Sequence, residues 1–407
     1  MGTESTRNAI CDAMKRKYSL SFVITLMLIA SALTCLVFAV FSGSMFDVSR
    51  KNRAAVREYA TLLGKIEEMY IGEYDADDLS IAAMRASVYA LGDRWSYYMT
   101  EQEYLEYINS MNNQFAGIGI GVAVDEETGM MKVLYTYRGS PAETAGILAG
   151  DFITEIDGVD LTGFTIDDMR KLLARPIGDT AEVKLLRSEG VVLTLEVVYD
   201  LVFSDPISYE MLEMDIGYVS ISNFEGGSAE GFISAVNTLI EEGARAFVFD
   251  VRNNGGGRVS EMTRILDFLL PEGEIFISVG RDGKEEITIS DADMVDMPAI
   301  VLVDRYSFSA AEYFAATLQE YDYAQIVGEQ TTGKSRSQRT ETLPNGGALH
   351  ISTSQYLTKN RVALFDVGGL VPDHPLVLSD GDFSLHISGN LEKTADPQLQ
   401  LALGLIK

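Results

Sequence analysis

The chain has 407 residues, too many for one compact domain and enough for two or three with a sizeable buried core. Its 60 acidic residues against 32 basic ones give a formal net charge of -28, a field that repels nucleic acid and anionic lipid and favours neutral or basic partners, so no nucleic-acid role is expected. Both cysteines, Cys11 and Cys35, precede residue 42, and His350, His374 and His386 have no ligand spacing, so the expectation is no disulfide framework, no catalytic cysteine, no metal and no cofactor.

From Ser19 to Phe46 no residue is charged, and Leu20 to Phe41 is almost wholly apolar, which matches the ~20 residues that cross a bilayer. The expectation is a transmembrane helix over 19–41 after a cytoplasmic N-terminus over 1–18. Arg7, Lys15, Arg16 and Lys17 favour that orientation, although Arg50, Lys51, Arg53 and Arg57 weaken the asymmetry. A cleaved signal peptide is the alternative; its apolar stretch would be about 7–15 residues, and no clear small-x-small site follows Phe41. The anchored reading places the protein at the cell membrane as a single-pass protein with everything after the helix outside the cytoplasm.

Residues 53–112 carry helical periodicity, with Tyr59, Leu62, Leu63, Ile66 and Met69 at three- and four-residue steps, and read as a small helical subdomain. Within it, the aromatic turn from Leu91 to Thr100 reads as a packing loop. From Phe115 to Tyr199 the pattern becomes short strands punctuated by glycine, with a helix over about 166–174. Ser140-Pro-Ala, Ala145-Gly, Gly150-Asp-Phe-Ile and Ile156-Asp-Gly follow in order, and this composite string resembles a PDZ domain, here over 113–200. Such domains capture an extended peptide on a sheet edge and hold its terminal carboxylate on backbone N–H groups. Gly117, Ile118, Gly119 and Ile120 match that carboxylate turn, the glycines allowing close backbone approach and the isoleucines lining a pocket.

Over 201–407, β-branched runs at 216–221, 246–251, 299–303 and 324–328 alternate with helical stretches near 228–242, 259–270 and 309–321. Buried strands with intervening helices predict an α/β core on a mostly parallel sheet. Chemistry in such sheets lies beyond the carboxyl ends of strands. Asp250-Val-Arg-Asn-Asn-Gly-Gly-Gly follows one strand, and its bare amides suit an oxyanion hole, though a glycine run alone is more often a turn. After the next strand, Ser309 stands at a helix N-terminus, where free N–H groups favour negative charge, though a lone serine there is an ordinary cap. Lys334 lies in the loop after the following strand, on the same side of a parallel sheet. It serves as a base only if desolvation lowers its pKa toward roughly 7–8. Gln338, four residues on, is placed to accept a hydrogen bond from that amine.

Asp250-x-Arg-Asn-Asn-Gly-Gly-Gly, Ser309-Ala-Ala-Glu, Gly328-Glu-x-Thr-x-Gly-Lys-x-x-x-Gln, Gly369-Leu-Val-Pro-Asp and Asp396-Pro-Gln-Leu-Gln follow a PDZ-like string, and from about residue 55 onward the chain resembles the C-terminal processing (tail-specific) peptidases. The resemblance implies a serine endopeptidase with Ser309 as nucleophile, Lys334 as general base, Gln338 as its orienter and the amides of Gly256 and Ala310 as oxyanion hole. It further implies that the PDZ domain recognises the C-terminal tails of protein or peptide substrates and gates the site. Tyr306, Phe308, Ser335, Lys359-Asn360 and Pro176 after Arg175 depart from the family's usual residues and bear on preference and gating. A catalytically silent membrane scaffold and an enoyl-hydratase-like acyl enzyme are the competing readings. A homo-oligomer or a regulatory protein partner is left open.

Overall fold

A computed structural model describes residues 20–45, 52–125 and 128–406. The cytoplasmic N-terminus expected over 1–18, with Cys11, lies outside the described residues. Two compact units divide the chain, Met1–Leu79 and Ser80–Lys407, so the segment expected as one helical subdomain over 53–112 is shared between them.

The first unit holds the helices Leu20–Met45 and Arg53–Met69. Among the described residues no helix is long and apolar enough to cross a membrane, so the single-pass reading gains no support from the fold.

In the second unit, the central sheet has the strand order Ile207–Leu212, Ile216–Ile221, Ala246–Asp250, Ala299–Val303, Ala324–Gly328 and His374–Pro375. The first pair is antiparallel and every later pair is parallel. The alternation of strand and helix therefore yields the α/β core that its apolar runs predict. Phe247, Phe249, Val301 and Val303 face one side and pack with Phe232, Leu266 and Phe314 of the helices Ser228–Glu241, Val259–Leu269 and Ala310–Glu320. Val248, Ile300 and Leu302 point the other way, onto Leu399 and Ala402 of the C-terminal helix Pro397–Leu405. Both faces are covered, which is why these strands are apolar throughout rather than alternating.

A second, antiparallel sheet joins Tyr97–Met99, Ala348–Leu357, Gly273–Gly280 and Glu285–Ser290, with Arg336–Thr342 paired to Ala348–Leu357. The PDZ-like region is a separate antiparallel sheet, Ile120–Val124, Met131–Thr136, Phe152–Ile156, Thr180–Arg187 and Val191–Val198, with its own core of Val133, Ile153, Met169 and Val183. Gln114–Gly117 and Asp200–Phe203 pair antiparallel where the chain enters and leaves it, so the domain is an insertion closed at its base.

Candidate functional site

The parallel sheet puts the ends of Ala246–Asp250, Ala299–Val303 and Ala324–Gly328 side by side, and the three following loops meet there. Two of them are tied to each other. Asp304 Oδ1 accepts the Asn253 amide at 3.0 Å, Ser307 Oγ donates to the Val251 carbonyl at 2.7 Å, and the Phe308 amide donates to Asn254 at 3.1 Å. Ser309 emerges from this lattice with φ 59° and ψ -123°, a region costly for a residue with a Cβ and held here by its surroundings. It directly precedes the helix Ala310–Glu320, whose first amides have no partner within the helix.

Glu312, fully buried one turn into that helix, binds the Ser309 segment to the Lys334 loop. Its carboxylate accepts the Ser309 amide at 3.2 Å, the Thr331 hydroxyl at 2.7 Å, and the Gly333 and Lys334 amides. Burial still pushes its pKa up, against the pull of those four donors. Lys334 is held well below the usual ammonium range, at about 8, because desolvation outweighs the attraction of Glu312 and Asp93. Its Nζ lies 4.3 Å from the centroid of Trp95. Tyr356, buried beneath the loop, donates its hydroxyl to the Lys334 carbonyl.

Ser309, Ala310, Lys334 and Gln338 all line one cavity of about 460 Å³, with Met262, Phe276, Tyr313 and Tyr356 forming its apolar wall. Gly256 also lies against Ser309: a Cβ there would come within 2.7 Å of Ser309 Cβ and 2.9 Å of the Ala310 nitrogen, so only glycine fits. Its amide, however, donates to Asn254 Oδ1 at 2.8 Å, whereas the Ala310 amide has no partner among the described residues. Gln338 Nε2 donates to the Arg336 carbonyl at 2.9 Å and to Ser352 Oγ at 3.0 Å, and no hydrogen bond joins Gln338 to Lys334 among the described residues.

Several site residues have no assigned role in the sequence reading. Trp95 comes from the turn read as packing, and Glu312 was visible only as part of Ser-Ala-Ala-Glu, three residues after the serine. His350 also lines the cavity, with Nδ1 paired to Thr340 Oγ1 at 2.8 Å and its ring packed on Tyr97 and Tyr107. Burial lowers its pKa to about 4, so it is neutral in ordinary buffers.

Gly117, Ile118, Gly119 and Ile120 line a second groove, of about 480 Å³, together with Ile166, Met169 and Leu173. Gly119 has φ 78°, and a Cβ there would lie 2.4 Å from Ser140 Cβ, which fixes glycine at this turn. Ile120–Val124 pairs with Met131–Thr136 on one side, and its other edge has no partner strand among the described residues. The described residues contain no cluster of His, Cys, Asp and Glu able to hold a metal ion.

Residues 215–376 match peptidase family S41 and residues 132–187 match a PDZ domain. The carboxy-terminal processing protease CtpA of Bacillus subtilis is 26% identical over 352 residues, 85% of this chain and 74% of that protein. A carboxyl-terminal-processing protease of Synechocystis is 27% identical over 331 residues, 80% of this chain and 76% of that protein. Among solved structures, a Bacteroides fragilis protein described as an S41 protease superposes with a TM-score of 0.53 at 16% identity, covering 83% of this chain and 92% of that one, a likeness of fold. The chain is a serine-type peptidase, similar to family S41 over residues 215–376 and to PDZ domains over 132–187.

Proposed function

We propose that the chain is an endopeptidase of the C-terminal processing type that works through a Ser309/Lys334 dyad. The observation that carries this reading is the convergence of Ser309, Lys334 and the unpartnered Ala310 amide on one cavity, with the lysine desolvated to a pKa of about 8. A base poised near working pH takes the Ser309 proton as the hydroxyl attacks a peptide carbonyl. The oxyanion forms against the Ala310 amide and the glycine loop, and Lys334 returns its proton to the leaving amine before water releases the acyl-enzyme. Gly256 joins the oxyanion hole once its amide leaves Asn254, and Gln338 orients Lys334 once it turns from Ser352. Both changes are of the kind that substrate binding induces, since catalytic hydrogen bonds often tighten only in the complex.

The groove at Gly117–Ile120 supports tail recognition: an open strand edge offers backbone pairing, and the adjoining apolar wall takes alternate side chains. The insertion of that domain ahead of the core, closed at its base, supports a role in gating the dyad. The membrane anchor rests on the uncharged run from Ser19 to Phe46 and on the 26-residue helix Leu20–Met45. It puts the peptidase outside the cytoplasm, acting on extracytoplasmic protein. N-terminal sequencing of membrane-extracted protein tests this, because a start beyond residue 41 makes the segment a cleaved signal.

Purified protein is expected to cleave unfolded protein substrates. Ser309→Ala and Lys334→Ala each lower that activity by roughly a thousandfold or more. Full activity in either variant overturns the dyad.

A further inference from the structure

The turn from Leu91 to Thr100 brings the chain's one tryptophan to the lysine. Trp95 lies 4.3 Å, ring centroid to Nζ, from Lys334, and 5.6 Å from the ring of Phe308, the residue before Ser309. The Lys334 ammonium has no hydrogen bond among the described residues; its contact is this aromatic face. The turn itself is fastened on the far side. Asp93 accepts the Trp95 amide at 3.2 Å and the Ser96 hydroxyl at 2.6 Å. Ser96 Oγ accepts the Ser352 amide at 3.0 Å, and Ser352 Oγ in turn accepts Gln338 Nε2 at 3.0 Å.

We propose that Trp95 is a positioning residue for Lys334: its indole face seats the ammonium beside Ser309, backed by Phe308 and by the hydrogen bonds through Asp93, Ser96, Ser352 and Gln338. The proposal rests on the Ser309/Lys334 reading. An indole face attracts a cation more strongly in a desolvated site than in water, and it gives a flexible four-carbon stem a fixed end point. Glu312 and Asp93 also attract this ammonium, the Arg94 guanidinium opposes it while lying 4.2 Å from the same ring, and His350 faces it as a neutral ring. The seat therefore favours the charged lysine and partly offsets its desolvation. Trp95 thereby sets both where the base waits and the pH at which it becomes one.

Two measurements test this. In Trp95→Leu, which keeps apolar bulk but removes the ring, kcat/KM is expected to fall about tenfold to a hundredfold. The midpoint of its rise with pH should move down by about half to one unit, and Trp95→Phe should recover most of both. A lowered rate with an unmoved midpoint makes Trp95 a packing residue and overturns the proposal. Independently of catalysis, Trp95 emission in the otherwise native chain should titrate near the Lys334 pKa of about 8, and in Lys334→Met that step should vanish. A step that survives in Lys334→Met overturns the seat, and this arm decides if Trp95→Leu does not fold. Failure of the dyad reading itself shows separately, as full activity in Ser309→Ala.

Discussion

The cavity at Ser309 and Lys334 and the groove of the PDZ domain are built in opposite ways. Around Ser309, most buried polar groups are tied into a lattice, although Asp304 Oδ2 and Ser337 Oγ have no hydrogen-bond partner among the described residues: Glu312 accepts four donors, and beneath the glycine loop Asp250 accepts Tyr218 Oη at 2.7 Å and the Arg252 guanidinium, which also reaches Asp396 at 2.8 Å and Gln398 at 3.0 Å. In the groove, Ile118, Ile120, Ile166, Met169 and Leu173 dominate, with a sheet edge left open. A fixed polar lattice suits chemistry, because oriented donors then need not reorganise when charge develops. An unfinished edge suits recognition, because the incoming strand supplies the missing hydrogen bonds and any sequence can supply them.

The sharpest way to break the comparison is to remove the ion that holds the lattice. Arg252→Ala leaves Asp250 and Asp396 buried side by side without their cation, and the expected loss of stability is about 3–5 kcal/mol by urea unfolding. The glycine run begins three residues later, at Gly255, so activity should fall with it. A loss below ~1 kcal/mol means the lattice is not what holds this loop. The groove is expected to be more tolerant. Ile120→Glu, placed in a Ser309→Ala background so that bound peptide survives, puts a charge into the apolar wall and should weaken apolar tail peptides by about tenfold to a hundredfold. Unchanged affinity would move tail recognition to another surface.

The same contrast governs what the sequence discloses. Ala246–Asp250 and Ala299–Val303 are legible because both faces are buried, so every residue is apolar and the loops after them announce the site. The PDZ region is legible because its turns need specific residues in order. The antiparallel sheet is not: Arg336–Thr342 is polar and largely exposed, and Tyr97–Met99 pairs with Ala348–Leu357 across most of the chain, a contact with no local signature. Lys334 and Gln338 sit on that sheet's margin, which is why spacing suggests their pairing while the resting hydrogen bonds of Gln338 run to Ser352. Trp95 was hidden for the same reason, since its meaning depends on Phe308 and Lys334, far away in sequence. Glu312 was half legible: its distance from Ser309 marks a helix start, but not its grip on the lysine loop.

The smallest expected effect lies where the two styles meet, at Glu225 on the cavity wall. This carboxylate is mostly buried, and burial outweighs Arg258 at 3.4 Å, raising its pKa to about 7. The folded value thus exceeds the unfolded one of 4.5, so its contribution to stability is complete below about pH 4.5 and is lost as pH rises through 7. Between about pH 5 and pH 8 the wild-type protein should therefore lose on the order of 1–2 kcal/mol more than Glu225→Gln, which stays uncharged throughout. Urea midpoints at the two pH values measure the difference. Equal losses in the two proteins would show that Arg258 neutralises this wall after all, as Arg252 does for Asp250 and Asp396. A larger loss in the wild type would mark Glu225 as a group left uncompensated in the cavity, ionising just below the pH at which Lys334 loses its proton.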